Sequence, residues 1–129
     1  VMQVASLATC KFLNSSGVGN ASDAVECLQY FANLKTRPYF PENIVAINNS
    51  WFLNTKSQAI QDAIAQLRDL NIVFVAAAGN SGTNNDLVAS YPANYPVTNV
   101  ISVAATARND LKPSFSNYGK ASVHVAAPG

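Results

Sequence analysis

Seven consecutive apolar residues, Ile72-Val73-Phe74-Val75-Ala76-Ala77-Ala78, run straight into Gly79-Asn80-Ser81-Gly82. A strand without a polar face needs cover on both sides, and a parallel sheet packed by helices provides it. This is the longest apolar stretch in the chain, far short of the ~20 residues a membrane helix needs. Just before it, Ile60, Ala63, Ile64, Leu67 and Leu70 recur at helical spacing. Thr55 is placed to open that helix, with Gln58 completing a capping box. The β-branched run from Asn43 to Asn48 predicts another buried strand.

The remaining elements follow from the same periodicities. Val4 to Leu13 contains a candidate strand, and Asn14 to Asn20 is a turn-rich loop. A helix with Ser22 or Asp23 as N-cap follows, with Ala24, Val25, Leu28, Phe31 and Ala32 on one face. Pro38 and Pro41 stop it. Gly79 to Tyr95 is a long polar loop, and such loops in compact domains are usually functional. Val100 to Ala105 and Ser122 to Ala126 are further strands. The order strand, helix, strand, helix, strand, loop, strand, strand predicts an α/β fold with a mostly parallel sheet and right-handed crossovers.

Composition narrows the function classes. The net charge is +1, only 12% of residues are charged, and no basic run occurs. That offers no electrostatic footprint for nucleic acid or an anionic membrane. Cys10 and Cys27 fit no zinc spacing. Two buried free thiols are the expected arrangement, with one disulfide left open. A phosphate-binding α/β domain would show a Gly-rich loop after the first strand, but Ser16-Gly17-Val18-Gly19 lacks the GxGxxG spacing.

In an open parallel sheet, ligands bind beyond the carboxyl ends of the strands. Two such ends stand out, Asn48-Asn49-Ser50-Trp51 and Ala76-Ala77-Ala78-Gly79-Asn80-Ser81-Gly82. Tiny side chains let a substrate approach the backbone. An asparagine amide offers uncharged N–H donors, which suit an oxyanion that develops only in a transition state. Taken alone, Gly-Asn is first of all a turn signal.

Six blocks in register extend the reading. They are Ile44 to Trp51, Val75 to Gly82, Tyr91-Pro92-Ala93-Asn94-Tyr95-Pro96, Val100 to Ala105, Ser114-Phe115-Ser116-Asn117-Tyr118-Gly119 and Ala126-Ala127-Pro128-Gly129. In order and spacing they resemble the central part of the subtilisin-like serine peptidases, from about Cys10 to Gly129. The resemblance implies a subtilisin-like α/β fold, with residues 1–129 as the central part of a peptidase domain continuing at both ends.

By that resemblance Asn80 is the side-chain donor of the oxyanion hole. Ser50, Trp51 and Phe52 line one side of the primary specificity pocket, and Ala77, Ala78 and Gly79 the other. Ser81 lies near its floor. Being uncharged, it points to an apolar substrate side chain. Ser16, Gly17, Val18 and Gly19 pair with the substrate backbone as an added strand. Tyr91-Pro92 resembles a bond that is cis in the family. The carbonyls of Ala93, Tyr95 and Thr98 resemble a weak site for Ca²⁺ or a monovalent cation, and no cofactor is required for the chemistry. Phe52 departs from the family's glycine and narrows the cleft or shifts the local alignment.

The family's chemistry needs a serine nucleophile, a histidine base and an orienting aspartate. The Asp-Thr-Gly, His-Gly-Thr-His and Gly-Thr-Ser-Met-Ala motifs that carry them are absent from these residues. The first two would precede Val1 and the third would follow Gly129. His124 falls on a strand that carries no triad member in the family. Asp23, Asp62, Asp69, Asp86 and Asp110 read as caps or solvated charges. The expectation is a part of a serine endopeptidase that is inactive alone, whose partners are a polypeptide substrate and the rest of the peptidase domain. A non-catalytic peptide-binding relative is the alternative. Apolar surface meant for the missing nucleophile helix should favour association. Secretion is typical of the family and implies an extracellular location.

Overall fold

The computed structural model describes residues 5–39, 42–53 and 55–129. Two helices, α1 (Ala21–Thr36) and α2 (Gln58–Asp69), accompany four strands: β1 (Ala46–Asn49), β2 (Val73–Ala77), β3 (Val100–Thr106) and β4 (Val125–Pro128). The strands form one sheet in the order β1-β2-β3-β4. Every pair is parallel, with Ala46 opposite Val73, Phe74 opposite Val100 and Val103 opposite Val125. Where spatial order follows chain order and crossovers share one hand, the connections lie on one side of the sheet.

That topology decides which face is covered. Ile47, Phe74, Ala76 and Val100 form one core with Leu28 and Phe31 of α1 and Ile60, Ile64 and Leu67 of α2. The opposite face, with Val73, Val75 and Ala77 of β2 and Ile101, Val103 and Ala105 of β3, is half exposed. The apolar run was expected to be covered on both sides. Among the described residues, helices cover only one.

Both helices start elsewhere than the sequence suggests. Asn20, extended at φ −99° and ψ 154°, caps α1, and its carbonyl accepts the first helical bond from Ala24. Asp23 instead lies in the first turn, where its charge complements the helix dipole. Ser57 caps α2 in place of Thr55, and its Oγ accepts from the Ile60 amide. The Thr55–Gln58 capping box does not form, because Gln58 reaches forward to Asp62. The Tyr95 hydroxyl fixes that helix start, accepting from the Ser57 amide and donating to the Ser57 carbonyl, both at 2.9 Å.

The candidate strand over 4–13 is absent from the described part, residues 5–13. This segment lines a cavity of about 640 Å³ together with α1 and β1, and no ladder joins it to the sheet. Two side-chain contacts hold it instead. Phe12 packs edge-on against Trp51 at 5.5 Å between ring centroids. Cys10 and Cys27 form a disulfide, which corrects the expectation of free thiols. The segment passes along the flank of α1, bringing the two Cα atoms to 5.7 Å, within bridging range. Closing a loop of this size contributes about 3 kcal/mol in the chain-entropy account.

Candidate active site

β2 ends in a tip that the rest of the chain holds in place. The Ala78 amide donates to the Val103 carbonyl, continuing the ladder by one bond. Gly79 then adopts φ +116°, a conformation that favours glycine. Asn80 follows on a bend, exposed, and its side chain has no hydrogen-bond partner among the described residues. Its amide is therefore free to donate.

A groove of about 490 Å³ runs along this strand tip. Asn48, Ser50, Ala76 to Asn80, Val103, Ala105 and residues 127–129 line it. Of the residues singled out from the sequence, Ser50, Ala77, Ala78, Gly79 and Asn80 thus meet on one groove. Trp51 does not share that wall. It turns to the cavity beside β1 and donates from Nε1 to Asn49 Oδ1 at 3.2 Å. Phe52, where the family has glycine, is 62% exposed and stands off the groove. Ser81 is exposed, with its amide drawn to Asn117 Oδ1. Ser16 to Gly19 form an exposed turn in which Asn14 Oδ1 accepts from the amides of Ser16 and Val18.

Sequence reasoning missed the polar side chains behind the tip. Asn85 and Asn117 are 2% and 3% exposed. Both donate to the Ala78 carbonyl, at 2.8 and 3.0 Å, and Asn117 also donates to Asn85 Oδ1 at 3.0 Å. Asn117 Oδ1 accepts from the amides of Ser81 and Thr83 at 2.8 and 3.2 Å. In a polar loop, an asparagine reads from sequence only as a turn residue.

Asp86 is a second such case. Read as a loop charge, it gathers the amides of Lys120, Ala121 and Ser122 and the Ser122 hydroxyl. The Ser122 hydroxyl, opposed by partial desolvation and joined by those amides, holds the carboxyl below its ordinary 3.8. This grip keeps residues 120–122 in a turn, which delays β4 to Val125 from its expected start at Ser122. A lowered folded-state value means stabilisation that is present above 3.8 and lost as pH falls through the folded value. The gap in melting temperature between wild type and Asp86→Ala, present at neutral pH, is therefore expected to close in acid. A gap independent of pH would contradict this.

His124 serves the same junction. Its amide donates to the Ser102 carbonyl at 3.0 Å, and its Nδ1 accepts from the Ser102 amide at 2.9 Å. The imidazole thus stands in for a main-chain acceptor before β4 begins. Ala93, Tyr95 and Thr98 line one cavity together with Asp86, Ser122 and His124. The Tyr95 carbonyl already accepts from Val97, and burial raises the Tyr95 phenol above its ordinary 10.0. Tyr91-Pro92 is cis.

Comparisons with known proteins agree with this architecture. The model of the subtilase family, peptidase S8, matches residues 1–129. Subtilisin Savinase of Lederbergia lenta is 32% identical over 125 residues, which cover 97% of this chain and 41% of that protein. Subtilisin-like protease 2 of Plasmodium falciparum is 40% identical over 87 residues, 64% of this chain and 6% of that protein. The crystal structure of a cold adapted subtilisin-like serine proteinase superposes with a TM-score of 0.78 at 27% identity, covering 92% of this chain and 39% of that one. The chain thus spans no more than about two-fifths of these relatives. The parallel sheet and helices of the described residues agree with the match along the sequence, and the chain belongs to the subtilase family.

Proposed function

We propose that this chain supplies the oxyanion-hole amide and part of the substrate cleft of a serine endopeptidase that cleaves peptide bonds through an acyl-enzyme. The observation that carries the reading is Asn80, exposed and without a partner among the described residues, at the tip of β2 on a groove that Ala77, Ala78 and Gly79 also line. When a nucleophile attacks a peptide carbonyl, negative charge collects on the oxygen. An uncharged amide that donates to that oxygen stabilises it more than it stabilises the ground-state carbonyl. Small side chains beneath it allow the substrate backbone to approach. Ser50, Trp51, Phe52 and Ser81 contribute to substrate selection, and Ser16 to Gly19 hold the substrate backbone as an added strand.

The 129 residues contain none of the family's triad motifs, so the chain alone is expected to be inactive. A chromogenic peptide carrying an apolar residue before the scissile bond tests both statements. The complete peptidase should hydrolyse it and the isolated chain should not. Turnover by the isolated chain, or a complete protein that binds the peptide without cleaving it, would each overturn the reading.

Two smaller expectations accompany it. The carbonyls of Ala93, Tyr95 and Thr98 would hold a Ca²⁺ or monovalent cation and brace the loop that Tyr95 ties to α2. The thermal transition should then rise with added calcium and fall with a chelator, and equal transitions would dismiss the site. The disulfide Cys10–Cys27 favours an oxidising, extracellular location.

A further inference from the structure

We infer that Asn117 is a positioning residue for the oxyanion donor: its buried side chain fixes the Gly79–Ser81 turn that aims Asn80 into the groove. This rests on the oxyanion role proposed for Asn80.

The geometry is specific. Asn117 grips the turn from before and after Asn80. Upstream, its Nδ2 donates to the Ala78 carbonyl and its main-chain amide to the Gly79 carbonyl, both at 3.0 Å. Downstream, its Oδ1 accepts the amides of Ser81 and Thr83. Asn80 itself is held by none of these bonds, so its backbone is set from both sides while its amide stays free. A side chain on Gly79 would fall on Asn117 Nδ2, so the turn has room for the amide only because residue 79 has no Cβ. Asn85 completes the donor set on the Ala78 carbonyl but does not reach Ser81 or Thr83. Among the described residues, the Asn117 side chain reaches both the Ala78 carbonyl before Asn80 and the Ser81 amide just after it.

An oxyanion donor helps only when its N–H lies within about 3 Å of the developing charge. Misplacement by 1 Å can cost about 10²-fold in rate. Loss of Asn117 should therefore lower kcat through Asn80, while any change in KM would come from Ala78, Gly79 and Ser81, which the same side chain helps to hold.

The test is a double-mutant cycle in the complete peptidase, with Asn80→Ala, Asn117→Ala and the pair, read as kcat and KM. Asn117→Ala is expected to lower kcat by about 10²-fold alone, yet by less than about twofold once Asn80 is already alanine. Equal losses in both backgrounds, or an unchanged kcat, would overturn the positioning role while leaving the oxyanion reading intact. An unchanged kcat for Asn80→Ala alone would sink the oxyanion reading and this role with it. If Asn117→Ala fails to fold, Asn117→Ser carries the same cycle. Its hydroxyl can still accept from one amide, so the loss in kcat should be smaller and equally dependent on Asn80.

Discussion

In the complete peptidase, Asn80→Ala should reduce kcat by about 10²–10³-fold with little change in KM, the loss known from a subtilisin on removing one such donor. The reasoning starts from charge. Only the tetrahedral state carries a full negative oxygen, so a donor that meets that atom lowers the barrier more than it tightens binding. The groove at the tip of β2 is lined mainly by alanine, glycine and valine; Asn48 also reaches it but donates its amide to Ser50 Oγ, whereas the Asn80 amide has no partner among the described residues. Asn80→Asp gives a sharper check. It keeps the size of the side chain but replaces the donor with an acceptor that repels the oxyanion, so it should lose at least as much. Steady-state kinetics on one peptide settle the matter. A loss expressed in KM alone would mean that Asn80 binds substrate but does not stabilise the transition state.

The parts of the fold legible in the sequence were those set by long apolar periodicity. The run from Ile72 to Ala78 gave β2, and the spacing of Ile60, Ile64 and Leu67 gave α2, because burial in a sheet–helix layer demands those patterns. Asn80 was legible only through the register of several blocks, since Gly-Asn is also an ordinary turn. What stayed hidden depends on contacts far apart in the chain. The Cys10–Cys27 bridge needs a segment to pass α1 without joining the sheet. No local pattern reports that. Asn85, Asn117 and Asp86 look like any polar loop residues until residues 78–86 meet 115–122. Helix starts shifted for a similar reason. Ser57 won over Thr55 because Tyr95, 38 residues away, binds its backbone.

The second large effect concerns the support of that same strand. Phe74→Ala should destabilise the domain by about 3–5 kcal/mol, the usual range for truncating a buried phenylalanine. Phe74 is 0% exposed and sits in β2, paired with Ile47 on one side and Val100 on the other. Its ring belongs to the cluster that also holds Ile60, Ile64 and Leu67 of α2, each fully buried. Strands on both flanks and a helix above leave little freedom to collapse into the void, so the cost should lie toward the upper end. Native domains have only about 5–15 kcal/mol in total, so the variant should sit near its unfolding threshold. Val75, one residue on, points to the half-exposed face, and Val75→Ala should cost much less. Chemical denaturation of the two variants, made in these 129 residues alone, compares the faces directly. Similar losses for Phe74→Ala and Val75→Ala would mean that the second face is also tightly covered in the protein. The one-sided core would then be wrong, along with the account of how β2 carries Asn80 to the groove.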